Sequence, residues 1–254
     1  MCGRFALQVT LEELAEAFGL ADVDLLAPRY NIPPTEPILT VISAGALPTG
    51  SNLPTRRSLL VRWGLIPAWA KNPKDMPLLI NARAETAAEK AAFKAAMRHR
   101  RVLIPASGFY EWKRQEGRKP QPYFVRPRNG RLVAFAGLVE TYAQPDGSEM
   151  DTGAMLTTEA NAEFAPIHHR MPVVVHPRDY DRWLDCRGQE PRHVADILRP
   201  VEEGFFEAIP VGDKVNAVAN TGPEVQDRVE PVEGEAPVKP LPARKAGSDQ
   251  LTLF

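Results

Sequence analysis

The stretch Arg101-Val102-Leu103-Ile104-Pro105-Ala106-Ser107-Gly108-Phe109-Tyr110-Glu111-Trp112-Lys113 sets two short apolar or aromatic runs, 101–104 and 109–113, on either side of a Pro-Ala-Ser-Gly break. Runs of this length rich in Val, Ile and aromatics read as strands, and the break reads as a sharp bend between them. The same signature recurs in both directions, at 38–42, 58–63, 123–125, 132–139, 153–157 and 171–175. Twenty-five prolines punctuate these runs instead of gathering in one linker, about twice the average share.

Two helices are predicted among the strands. Thr10 with Glu13 forms a capping box that opens a helix over 11–18, and Gly19 closes it. Thr86 with Glu89 predicts a second box opening an alanine-rich helix over 87–97. Several short strands with two or three helices predict an α+β fold: one strand-rich domain over 1–232 with a strongly bent or barrel-like, mixed or antiparallel sheet flanked by a few helices. Residues 233–249 are mostly Glu, Pro, Ala, Lys and Gly with almost no large apolar side chain, which predicts a disordered tail. That tail ends in Gln250-Leu251-Thr252-Leu253-Phe254, three large apolar groups on a tether.

Composition excludes several classes. No apolar run approaches the roughly 18 residues of a membrane span, and Met1-Cys2-Gly3-Arg4-Phe5 lacks the features of a secretory signal. Two cysteines, Cys2 and Cys186, are too few for a disulfide scaffold and suit a reducing compartment, so a cytoplasmic location is expected. The net charge of −1 gives no global support to nucleic-acid binding. Support has to be local: Arg98, Arg100, Arg101, Lys113, Arg114, Arg118 and Lys119 lie centrally, whereas Glu224, Asp227, Glu230, Glu233 and Glu235 collect late.

Cys2 is the first candidate reactive group. Removal of Met1 leaves a 1,2-aminothiol, whose amine titrates near 8 and whose thiol titrates near 8.5. With an aldehyde the amine forms a Schiff base and the thiol closes a five-membered thiazolidine. The competing reading is a small residue at a frayed terminus. Glu111 is the acid/base candidate, because a carboxyl set among aromatics loses solvation and its pKa rises. Strand alternation puts it on the Phe109 face, away from Tyr110 and Trp112, so an outward, solvated Glu111 competes.

His168, His169 and Arg170 stand at the entry to a strand, where one imidazole can move a proton during opening of a sugar hemiacetal. Adjacent side chains diverge in extended chain, so only one should face a site. A metal site built on His168, His169, His176 or His193 with a cysteine fits no zinc spacing, and none is expected. Asn81-Ala82-Arg83-Ala84-Glu85-Thr86 offers an amide and a guanidinium just before the predicted helix start, a setting that favours an anion. Glu85 reads equally well as a helix-start carboxylate. In Trp63-Gly64-Leu65-Ile66-Pro67-Ala68-Trp69-Ala70, Trp63 is expected in the core and Trp69 facing a ligand.

Together with Arg29-Tyr30-Asn31-Ile32-Pro33-Pro34-Thr35 and 216–222, these motifs run in one order across nearly the whole domain. In that order they resemble the SOS response-associated peptidase family, the abasic-site processing proteins. The resemblance implies that Cys2 is the nucleophile, Asn81 positions the sugar or amine, Glu111 is the acid/base group and His168 assists ring opening or imine chemistry. It implies DNA contacts from Arg4, Asn31, Trp69, Arg83 and Arg170, loss of Met1, and a covalent link to abasic sites in single-stranded DNA that shields them from strand cleavage, with lyase-type reversal through the Schiff base. Some relatives carry a second Trp after the position of Trp69, where this chain has Ala70. The tail peptide, with Gln250, Leu251, Leu253 and Phe254, resembles segments that dock proteins on the DNA polymerase sliding clamp. The reading is a monomeric DNA-repair protein without cofactor. Its rivals are an N-terminal-nucleophile peptidase or amidase acting in trans, and a non-enzymatic adaptor in which Cys2 is incidental.

Overall fold

The structure, a computed structural model, describes residues 2–20, 23, 27–45, 51 and 54–231. The apolar and β-branched runs form strands, thirteen among the described residues: β1 (Phe5–Leu7), β2 (Arg29–Ile32), β3 (Pro37–Ser43), β4 (Arg56–Trp63), β5 (Asn81–Arg83), β6 (Arg101–Ala106), β7 (Gly108–Lys113), β8 (Gln121–Pro127), β9 (Val133–Ala143), β10 (Glu149–Glu159), β11 (Arg170–Pro172), β12 (Val174–Val175) and β13 (Phe206–Pro210). Among the same residues are three α-helices, α1 (Leu11–Phe18), α2 (Lys94–His99) and α3 (Tyr180–Leu184).

Five strands close on themselves. β10 pairs with β9 along one edge and with β4 along the other, and the order β4-β3-β6-β9-β10 completes a barrel. Pairing is antiparallel throughout this ring except between β10 and β4. Farther along β10, β5 succeeds β4 on one edge and β11 succeeds β9 on the other, so both reach Thr157. A second sheet, β13-β8-β7-β1-β2, is antiparallel throughout. The chain passes from barrel to second sheet at Ser107, between β6 and β7. There Ser107 N–H donates to the Ala6 carbonyl and Ser107 Oγ accepts from Gln8 N–H, both at 2.8 Å.

Alternation along β1 and β7 gives the second sheet two packed faces. Phe5 and Phe109 enter the main core with Cys2, Trp63 and Phe135, while Ala6 and Tyr110 join a smaller cluster with Phe124, Val211, Val215 and Val225. Phe109 is met edge-on by both Phe135 and Phe206, with ring centroids 5.8 and 5.5 Å away, an arrangement that suits the aromatic quadrupole.

α1 forms as its sequence predicts. Thr10 Oγ1 accepts from Glu13 N–H at 3.2 Å, Glu13 Oε2 accepts from Thr10 N–H at 2.9 Å, and Gly19 ends the helix at φ 63°. The second predicted helix does not begin at Ala87: residues 84–93 are successive turns and only Lys94–His99 is α-helical. Ala84 N–H is drawn to the Thr157 carbonyl at 2.9 Å, and Ala87 is fully buried, so packing along β10 dictates the path over helix propensity. Thr86 Oγ1, expected as a cap, is buried without a hydrogen-bond partner among the described residues. The predicted strand over 171–175 is split at Val173, which accepts from Ala136 N–H and donates to the Leu156 carbonyl, handing β11 to β10 and β12 to β9. Among the described residues no helix is long and apolar enough to cross a membrane.

Candidate active site

Residues from four parts of the chain meet beside the barrel. Cys2 immediately precedes β1, Asn81 opens β5, Glu111 lies on β7, and His168 stands two residues before β11. Asn81 Nδ2 donates to the Cys2 carbonyl at 2.8 Å. Asn81 Oδ1 is buried and accepts from no described residue, which leaves its acceptor capacity unused. Glu111 Oε1 is 4.0 Å from His168 Nδ1. Cys2 Sγ donates weakly to the Arg4 carbonyl at 3.6 Å and feels the Glu111 carboxylate.

Burial governs the electrostatics. Cys2 is 1% exposed, and desolvation, followed by the negative charge of Glu111, pushes its thiol far above the ordinary range. Glu111 is 3% exposed, so the solvated alternative is excluded, and burial raises its pKa. Burial also lowers the pKa of His168. Desolvation thus favours the uncharged form of both groups, a carboxylic acid that can give a proton and an imidazole that can take one.

His168 Nδ1 lies 3.0 Å from both the amide nitrogen and the carbonyl oxygen of Arg170. Unprotonated, it accepts from the amide; protonated, it donates to the carbonyl. The ring can therefore exchange a proton without turning. His169 does not diverge from its neighbour: the two rings lie side by side, tilted by 31° with centroids 4.4 Å apart, because residues 168 and 169 precede the extended strand β11. His169 is exposed, and its pKa is lowered chiefly by His168.

The expected DNA-contacting residues divide into exposed and internal groups. Trp69 is 60% exposed and Arg83 is exposed beside Asn81, whereas Trp63 is buried, with its indole N–H on the Ile80 carbonyl at 2.9 Å. Arg4 and Asn31 are turned to the protein. Arg4 Nη1 donates to Asn31 Oδ1 at 2.6 Å and to the Val215 carbonyl at 2.9 Å, and Asn31 Nδ2 donates to the Asn220 carbonyl at 2.8 Å. These two brace the segment around 215–220. Arg170 is 7% exposed and gripped by Glu85. That pairing has no sequence signature, since the partners are 85 residues apart. The contact of Trp112 Nε1 with Asn216 Oδ1 at 2.7 Å is likewise visible only in the fold.

Gln250, Leu251, Leu253 and Phe254 lie outside the described residues. Among the described residues no group of three or more His, Cys, Asp or Glu side chains is placed to hold a metal ion.

The fold and site define a class of protein in which a closed mixed barrel and a second sheet bring an amide, a carboxyl and an imidazole beside a buried thiol near the amino terminus. The SOS response associated peptidase (SRAP) family matches residues 1–218, and this chain belongs to that family. The abasic site processing protein YoqW of Bacillus subtilis strain 168 is 36% identical over 228 residues, which cover 89% of this chain and 98% of that protein. The abasic site processing protein HMCES of Gallus gallus is 29% identical over 260 residues, covering 88% of this chain and 76% of that one. In fold, a crystal structure from Bacteroides thetaiotaomicron matches with a TM-score of 0.77 at 23% identity, over 90% of this chain and 100% of its own.

Proposed function

We propose that this protein processes abasic sites in single-stranded DNA by trapping the ring-opened sugar on Cys2. The observation that carries this reading is the meeting of buried Cys2 and Glu111 with half-buried Asn81 and His168 in one site, in a chain whose relatives are named for abasic-site processing.

Loss of Met1 frees the α-amine of Cys2. His168 and Glu111 move protons as the cyclic hemiacetal opens to its aldehyde. The amine adds to the aldehyde carbon to give a carbinolamine, which loses its hydroxyl as water on taking up a proton and becomes an imine. The Cys2 sulfur then adds to the imine carbon while its proton passes to the nitrogen, with Glu111 as the relay. Aldehyde and aminothiol thus give a thiazolidine and one water. Burial keeps the thiol protonated until the imine forms, so Glu111 is the group that accepts its proton. Asn81 Oδ1 is an acceptor for the amine or a sugar hydroxyl. Exposed Trp69 offers a face for base stacking and Arg83 a cation for phosphate. The adduct shields the aldehyde from strand cleavage, and return through the imine gives a lyase-type exit. The protein acts as a monomer in the cytoplasm, with the 250–254 peptide serving as a tether to the sliding clamp.

Denaturing gels test this reading. Protein freed of Met1 is expected to shift an oligonucleotide carrying one abasic site, with no shift for Cys2→Ala or for intact DNA. No shift with the wild-type protein, or turnover of an amide in trans that depends on Cys2, would put the peptidase reading ahead.

A further inference from the structure

We propose that Glu85 is a positioning residue of this site, acting through Arg170 to hold His168 in register with Asn81. The inference rests on the functional reading above and extends it to a carboxylate that lies outside the reacting group.

Glu85 stands two residues beyond β5. Its two oxygens receive Arg170 Nη1 and Nη2, each at 2.8 Å, the paired geometry in which an arginine fork is most directional. The two partners are placed very differently: the Arg170 side chain is 9% exposed and that of Glu85 is 44% exposed. The carboxylate therefore reaches from the surface to a guanidinium that the fold has already taken from water. Its pKa is lowered first by these hydrogen bonds, so it is ionised as the pair requires. Arg170 Nη2 also donates to the Thr157 carbonyl, which fixes the fork against β10.

The backbone of Arg170 serves His168. Both polar main-chain atoms of Arg170 lie 3.0 Å from His168 Nδ1, so the residue whose head is clamped by Glu85 is the residue that orients the imidazole. The sheet shows why a clamp is needed at this point. β5, carrying Asn81, and β11, beginning at Arg170, lie on opposite edges of β10, and each contributes only three residues to its pairing. β4 and β9 no longer flank β10 at Thr157. The Glu85–Arg170 pair spans the end of β10 and ties one short strand to the other, and with them the amide to the imidazole. Without the carboxylate, Arg170 keeps a buried charge with no other ion-pair partner among the described residues, an arrangement that favours reorientation of the whole residue.

Glu85→Gln, Arg170→Lys, His168→Ala and the Glu85→Gln/His168→Ala double variant are compared with wild type under single-turnover conditions, using abasic single-stranded DNA. For Glu85→Gln the maximal crosslinking rate is expected to fall about 10- to 100-fold, the range typical of removing a group that orients a functional imidazole. The protein concentration at half-maximal rate should stay within about threefold. Loss of the carboxylate should add nothing in the His168→Ala background, because both changes disable one unit. Arg170→Lys, which keeps the charge but cannot grip both oxygens, should repeat the rate loss and supplies the test if Glu85→Gln does not fold. An unchanged rate in either folded variant, or losses that multiply in the double variant, would overturn the proposal. Absence of crosslinking by wild type would instead remove the functional reading on which it rests.

Discussion

At Glu111 a carboxyl group is held where ionisation is disfavoured, and that has a consequence separate from catalysis. Burial raises its folded-state pKa above the ordinary carboxylate value of 4.5. The stability associated with this position is therefore fully present below the unfolded pKa and is lost as pH rises through the folded one. Glu111→Gln removes that penalty. The variant is expected to melt above wild type at pH 8, with the gap closing toward pH 4, while its crosslinking rate falls about 10²- to 10⁴-fold. A melting difference independent of pH would show that ionisation of Glu111 costs the fold nothing. At this scale the sequence was informative about chemistry and silent about environment. The aromatic neighbours of Glu111 pointed to desolvation, but only the pairing of β1 with β7 shows that its face of the strand is buried. Arg4 and Asn31 show the reverse: a guanidinium and an amide that suit DNA prove to be engaged with carbonyls near 215–220.

Elements place these groups, and the bend between β6 and β7 is the most demanding of them. A Cβ on Gly108 would lie 2.5 Å from the Val125 carbonyl oxygen and 2.7 Å from the Phe124 ring. The carbonyl belongs to the β7–β8 ladder and cannot move aside. Gly108→Ala is therefore expected to destabilise the protein by about 1–3 kcal/mol in denaturant unfolding and to slow crosslinking by shifting Phe109 to Glu111; unchanged stability and rate would mean that the ladder gives way. The glycine in the Pro-Ala-Ser-Gly break was legible as a bend, and the capping box of α1 was legible to the residue. The second box failed because Ala84 and Ala87 are committed to β10 and the core before a helix can start. Strands β1, β2, β5 and β13 were not predicted from propensity. Three residues such as Asn81–Arg83 carry no period, and they are strands only because β10 offers an edge.

The whole molecule joins these elements through long-range register. A bent or barrel-like sheet was legible from many short strands, but its closure depends on the parallel pairing of β10 with β4, which no local pattern encodes. Closure leaves the far end of β10 flanked by β5 and β11, and there Asn81 and His168 meet Cys2 and Glu111. In the proposed scheme, the net charge of −1 leaves attraction to DNA to exposed local groups such as Arg83 and Trp69 and to tethering by the tail. Deletion of residues 250–254 is expected to leave crosslinking of free oligonucleotides unchanged and to abolish binding to the sliding clamp in surface plasmon resonance; clamp binding by the shortened chain would remove the tail from this scheme.

The most direct measurement is the chemical state of the Cys2 sulfur in the adduct. Crosslinked protein, prepared without borohydride, is denatured, treated with iodoacetamide and digested, and the DNA-bearing amino-terminal peptide is weighed by mass spectrometry. A thiazolidine gives the sum of peptide and DNA less one water, with no alkylation at Cys2. The same peptide carrying an alkylated Cys2, or a DNA attachment elsewhere in the chain, would contradict the trap.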